Sequence, residues 1–126
     1  MELLPKLLKA IAEPNRLRIL NLLLEEPLCV CELEFLLGLS QPLLSRHLAY
    51  LRGAGLAVDK RIGMRVQYSV ASGDPLVDRL KACLQGVLEL EEIYKRDRER
   101  LEDCRRTAAE GQGDSGQPIA IQGAGI

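Results

Sequence analysis

The chain has no tryptophan, one phenylalanine and three tyrosines, so aromatics are only 3% of its 126 residues. A core must therefore be built mostly from its many leucines, which favours helices over sheets. There is a single histidine, His47, which leaves little for acid–base catalysis. No cysteine is followed by another three residues on, as a thioredoxin-like oxidoreductase requires, and no cysteine has an arginine six residues later, as an arsenate-reductase-like loop requires. These absences argue against an enzyme. No apolar run approaches the roughly 20 residues that cross a bilayer, and the N-terminus shows no secretory pattern. A cytoplasmic location is expected, where cysteines stay reduced. Charge excess is also missing: the formal net charge is −1. Residues 1–73 carry 9 Lys/Arg against 7 Asp/Glu and residues 74–126 carry 8 against 11. Binding to nucleic acid would have to use a local basic patch.

What is present centres on LCVCELEFLLGLSQPLLSRHLAYL, Leu28 to Leu51. It reads as two short helices joined by a tight turn. Ser40 is a good N-cap, and Pro42 sits in the first turn, where its missing N–H costs nothing. Gly38 can take the left-handed conformation that ends the preceding helix. Leu44, Leu48 and Leu51 form a buried stripe, which points Gln41, Ser45, Arg46 and the small Ala49 largely outward. A helix with polar N-terminal residues facing out is what a helix-turn-helix places in the major groove. Ser40, Gln41, Ser45, Arg46 and His47 are the candidate DNA-contacting residues of this unit. An ordinary solvated helix face is the competing reading.

Cys29 is expected at the N-cap of the first of these helices and Cys31 in its first turn, with the helix running to Leu37. Inside a helix, side chains two residues apart diverge by roughly 200°. An N-cap residue is not yet helical, so both sulfurs can turn toward one point. Free N–H groups and the helix dipole there are expected to lower the thiol pKa, and soft thiolates select thiophilic ions. Two small buried cysteines filling gaps is the plainer alternative.

Upstream, Leu4, Leu7, Leu8 and Ile11 mark a helix in residues 1–12. Pro14 starts a second, with Leu17, Leu20, Leu23 and Leu24 inward and Arg16 and Arg18 left exposed. Downstream, residues 56–62 and 64–70 alternate around Gly63 as a β-hairpin. Basic residues Lys60, Arg61 and Arg65 flank its tip, as in a wing that meets phosphates or enters the minor groove. Asp74-Pro75 caps a last long helix. Leu76, Leu80, Cys83, Val87, Leu90, Tyr94, Asp97, Leu101 and Cys104 form a heptad-like seam along it, broken only at Asp97. So long a seam is expected to pair with a second copy, with the N-terminal helix joining in. Cys83 and Cys104 are 21 residues apart, roughly 31 Å along one continuous helix, and read first as dimer core. Residues 1–106 are expected to form one mainly α, winged helix-turn-helix domain, dimeric through its terminal helices, and residues 107–126 a disordered tail.

The order helix, helix, helix-turn-helix, wing, long helix resembles the ArsR/SmtB family of metal-responsive repressors. The resemblance covers about residues 3–95 and rests on PNRLRIL, LCVCEL, LSQPLLSRHLAYLRGAGL and the wing ending in QYSV. LCVCEL is similar to the arsenic-sensing form of the family motif. The resemblance implies a homodimer on double-stranded operator DNA, released when arsenite or antimonite binds Cys29 and Cys31. Many such sensors have a third cysteine three residues after the second; here that position is Glu34. A third ligand could be Cys83, Cys104, a cysteine of the other subunit or a small thiol. The family's Asp/His site on the last helix is absent, which counts against a zinc, cobalt or nickel sensor. A cadmium or lead sensor, and a dithiol or persulfide sensor of the same fold, stay open as alternatives.

Overall fold

The computed structural model describes residues 2–110. Six helices and a small three-stranded antiparallel sheet share one leucine core. Helix α1 is Leu3–Ile11 and buries Leu7 and Ala10. Helix α2, Pro14–Leu23, opens with Pro14 at its first position, and the Glu13 carboxylate accepts from the Arg16 N–H at 2.8 Å. This side chain satisfies one of the free first-turn donors.

Strand β1 is only Leu28–Cys29. Cys29 is at once its last residue and the N-cap of α3, Val30–Leu37. Gly38 ends α3 in the left-handed conformation (φ 71°), with its N–H donating to the Glu34 carbonyl. Ser40 then caps α4, Gln41–Gly53, accepting from the Leu43 N–H at 3.4 Å. Leu44, Leu48 and Leu51 are the buried residues of α4, as their spacing requires.

Strands β2, Ala57–Ile62, and β3, Arg65–Val70, form the wing, with Ile62 opposite Arg65 across a two-residue turn at Gly63-Met64. Gly63 has φ 63°, and no other residue type in the described chain has positive φ. Glycine at the first turn position is what a type II′ hairpin needs. The sheet order is β1-β3-β2, with Leu28 opposite Tyr68 and Cys29 opposite Gln67.

The expected single last helix is divided. Helix α5, Pro75–Val87, is capped by Asp74, which accepts from the Leu76 and Val77 N–H groups. A 3-10 turn, Leu88–Leu90, and an extended Glu91 (φ −115°, ψ 142°) follow. Helix α6, Glu92–Glu110, then returns over α2 and α3. Tyr94, Asp97 and Leu101 are buried there, so the second half of the apolar seam is covered by this chain itself rather than kept for a partner. The polar partners explain the fold-back. Arg18 donates to both Asp97 oxygens, at 2.8 and 3.1 Å. The Asn21 amide donates to the Tyr94 carbonyl and accepts from Arg98 Nε at 2.7 Å. Arg98 and Arg105 pair with Glu25 and Glu26. With α6 on its second face, α2 buries Ile19, Leu20, Asn21, Leu22 and Leu23 in succession. Arg16 and Arg18, expected to be exposed, are both engaged: Arg16 Nε donates to the Ala10 carbonyl at 2.6 Å and its guanidinium lies 3.9 Å from the centre of the Tyr50 ring.

Helix α6 continues to Glu110, beyond Thr107, where the tail was expected to begin. The remainder of that segment, 111–126, lies outside the described residues.

Candidate DNA interface and thiol site

The leucine stripe fixes what α4 shows to solvent. With Leu44, Leu48 and Leu51 inward, Gln41, Ser45, Arg46 and Ala49 are exposed. Ser40 is exposed as well, with its hydroxyl engaged in the cap. Gln41 offers both a donor and an acceptor, Ser45 a hydroxyl and Arg46 a guanidinium fork; Ala49 lets a partner approach closely. His47 is turned differently. Its ring is mostly buried, and Nε2 lies 3.8 Å from Glu13 Oε1, so it faces the start of α2 instead of joining the outward row.

The wing carries Lys60 and Arg61 exposed. Met64 at the tip is 95% exposed. Arg65 is half-buried, and its Nη1 lies 3.9 Å from the Cys29 sulfur. The three basic residues of the wing thus divide into two that face solvent and one that lies back over the sheet.

The cysteines occupy unlike places. Cys29 is buried and Cys31 exposed. The Cys29 N–H donates to Glu32 Oε1 at 2.8 Å, half of a capping box in which sulfur stands where a hydroxyl is usual. The expected lowering of the thiol pKa does not occur at Cys29. Burial pushes this thiol up, the Glu32 carboxylate pushes it further, and Arg65 acts the other way. Burial, which disfavours the charged thiolate, is the larger reason that the helix-terminus effect is reversed; the Glu32 carboxylate that completes the cap adds to it by putting a like charge beside any thiolate. Cys104 is half-buried where α6 crosses α3, beside Phe35 and Arg100, and burial followed by Glu32 raises its thiol too. Cys83 is exposed on α5. Because α5 and α6 are separate helices, Cys83 and Cys104 do not lie on one straight seam. Among the described residues, no group of three or more His, Cys, Asp or Glu side chains gathers to hold an ion. Near the start of α3 the chain carries two thiols two residues apart in sequence, one buried and one exposed. Two soft donors fit a thiophilic ligand that needs two protein sulfurs and suit hard divalent cations poorly.

Sequence reasoning missed β1, and with it the link between Cys29 and the wing. A two-residue strand is too short to show alternation.

Comparison with known proteins agrees with this geometry. A family described as bacterial regulatory protein, arsR family, matches residues 13–58, from the start of α2 to the second residue of β2. An arsenic resistance transcriptional regulator of Pseudomonas putida is 43% identical over 86 residues, 68% of this chain and 66% of its own length, just under two-thirds. The arsenical resistance operon repressor of Escherichia coli is 42% identical over 90 residues, 66% of this chain and 77% of the relative. Relatives named for other roles, a SmtB repressor and the activator HlyU, each match over 52% of the chain. Among solved structures, the homodimeric winged helix-turn-helix domain of a possible ArsR-family regulator from Mycobacterium bovis is 31% identical. It superposes with a TM-score of 0.61 over 69% of this chain and 79% of that one. The outward row of α4, the basic wing and the family match lead to one conclusion: this chain belongs to the ArsR/SmtB family of winged helix-turn-helix transcriptional repressors.

Proposed function

We propose that the protein is a homodimeric repressor that leaves its operator when arsenite or antimonite joins the thiols of Cys29 and Cys31. The observation that supports this most is the position of the two thiols: they sit at the cap and first turn of the first helix of the helix-turn-helix. The arsenic-resistance relatives agree with it. For the dimer, the support is the exposed apolar residues of the terminal helices, Leu4 and Leu8 on α1 and Val87, Leu90 and Ile93 around the α5–α6 corner, together with the homodimeric mycobacterial relative.

Drawing both sulfurs onto one small centre distorts the first turn of α3. Leu33 and Leu36 of α3 share a core with Leu44 of α4, so the recognition helix is disturbed as well. Paired recognition helices must match half-sites about 34 Å apart, and a small displacement defeats that match.

The raised Cys29 thiol favours a metalloid over a divalent cation. Uncharged arsenous acid condenses with two thiols to give two As–S bonds and two waters, leaving one hydroxyl on arsenic. No net proton is released. A divalent cation must instead displace the thiol proton into solvent. Because Cys29 is held protonated by burial and by Glu32, against the opposing Arg65 and with Cys31 nearby, its contribution to cation binding is lost as pH falls. Cadmium affinity should therefore drop by about tenfold per pH unit from Cys29 alone, between about pH 8 and pH 6. Arsenite-induced release should stay nearly flat over the same range. Gel-shift titrations with arsenite and with cadmium at both pH values, on a duplex selected from a random library, check this. An arsenite response that falls as steeply as the cadmium response would contradict it.

Arg46 is the residue of α4 best suited to a base edge. Arg46→Ala is expected to weaken binding to the selected duplex by roughly 1–3 kcal/mol while leaving non-specific binding nearly unchanged. Anisotropy titrations on selected and scrambled duplexes measure both; equal affinity for the selected duplex in variant and parent would remove α4 from the groove.

A further inference from the structure

Arg65 is the one wing cation that does not face outward. It lies at the tip-proximal end of β3, two residues before Gln67, so the two side chains share a face of the sheet. Gln67 is the residue opposite Cys29 in the β1–β3 ladder. The ladder therefore brings the Arg65 guanidinium back over the sheet to the Cys29 sulfur, at 3.9 Å. Lys60 and Arg61 on β2 remain exposed. Cys29 also carries the β1 pairing and caps α3. One residue thus joins the thiol pair to two elements, and its side-chain contact is with the wing.

We propose that Arg65 is a positioning residue, not a phosphate contact: it tethers the wing to the Cys29 sulfur, and breaking that tether is how ligand binding at the thiols reaches the wing. This rests on the reading that Cys29 and Cys31 take up arsenite. In the ligand-free protein, sulfur accepts from the guanidinium and β3 is held against the start of α3. That sets where Lys60 and Arg61 stand relative to α4. When Cys29 sulfur bonds arsenic it must turn toward Cys31 and away from Arg65. Arg65 loses its acceptor, β1 loses its alignment with β3, and the wing is freed while the recognition helix is being disturbed.

A phosphate contact and a tether give opposite results in two measurements. Removing a phosphate contact lowers the salt slope of DNA binding by about one. Removing a tether leaves the slope unchanged and reduces the coupling factor, the ratio of DNA affinities without and with arsenite, which for such switches is about 5- to 150-fold. Arg65→Gln is expected to keep the parental salt slope, to bind arsenite as judged by arsenic–thiolate absorbance, and to show a coupling factor below half the parental value. Arg65→Lys keeps the charge but not the guanidinium fork, and should likewise lose coupling. A slope reduced by one in Arg65→Gln, or coupling equal to the parent's, overturns the proposal. A second measurement needs no arsenite. In a double-mutant cycle on DNA affinity, Arg65→Gln should have little further effect once Cys29→Ala has removed the sulfur. Additive effects overturn the tether. The cycle decides this even if the parent protein ignores arsenite, so failure of the sensor reading and failure of the tether are separately visible.

Discussion

Cys29→Ser and Cys31→Ser are each expected to bind operator DNA nearly as the parent protein does and to stay bound when arsenite is added. Serine keeps a small side chain with an acceptor oxygen. At position 29 it can still cap α3 and accept from Arg65, so the ligand-free geometry survives. What serine cannot do is form a stable bond to arsenic at neutral pH. Losing either sulfur leaves one protein ligand, and the contraction that distorts the first turn of α3 disappears. The expected change is the whole coupling factor, about 5- to 150-fold in DNA affinity. Anisotropy titrations of each variant, with and without arsenite, provide the comparison. Cys83→Ser and Cys104→Ser are expected to respond as the parent does, since two protein sulfurs and a retained hydroxyl complete the arsenic site. Loss of response in Cys104→Ser would instead make Cys104 a third ligand, reached by movement of α6 along α3.

Asp97→Ala should destabilise the protein by about 3–5 kcal/mol, because it leaves a largely buried guanidinium without its carboxylate. Asp97 is 3% exposed and accepts two hydrogen bonds from Arg18. The same substitution at Glu92, whose pair with Arg96 is mostly exposed, should cost less than about 0.5 kcal/mol. Urea unfolding of both variants measures the difference. A cost below about 1 kcal/mol for Asp97→Ala would mean that α6 does not dock on α2 as described.

These cases show where local chemistry was enough and where it was not. Ser40, Gly38, Cys29, Pro14 and Asp74 each stand at the helix end that the sequence predicts. Capping depends on a few neighbouring residues, which is why it is legible. The wing turn at Gly63 is legible for the same reason. The division of the last helix is not local. An apolar seam looks the same whether a second copy or the chain's own α2 and α3 will cover it. The one hint was Asp97, which interrupts the seam; its partner, Arg18, lies 79 residues away. Arg16 and Arg18 read as exposed because neither partner leaves a sequence pattern: Arg16 donates to a backbone carbonyl at Ala10, and the carboxylate that takes Arg18 is 79 residues away. At the thiol site, the cysteine positions could be read, but the direction of the Cys29 shift could not. Helix-terminus chemistry predicts a lowered thiol; burial, a product of the tertiary fold, raises it, and the Glu32 carboxylate three residues along the same helix adds to the rise. The contact between Arg65 and Cys29 depends on a two-residue strand, and no sequence period reveals that.

The most direct test of the sensor reading follows DNA release and arsenic–sulfur bonding in one sample. The protein is bound to a fluorescent selected duplex and titrated with arsenite while anisotropy and thiolate-to-arsenic absorbance are read together. Both curves should share one midpoint, and both should be absent in Cys29→Ser. Absorbance that saturates while anisotropy holds, or DNA release in Cys29→Ser as in the parent, would contradict a switch built on Cys29 and Cys31.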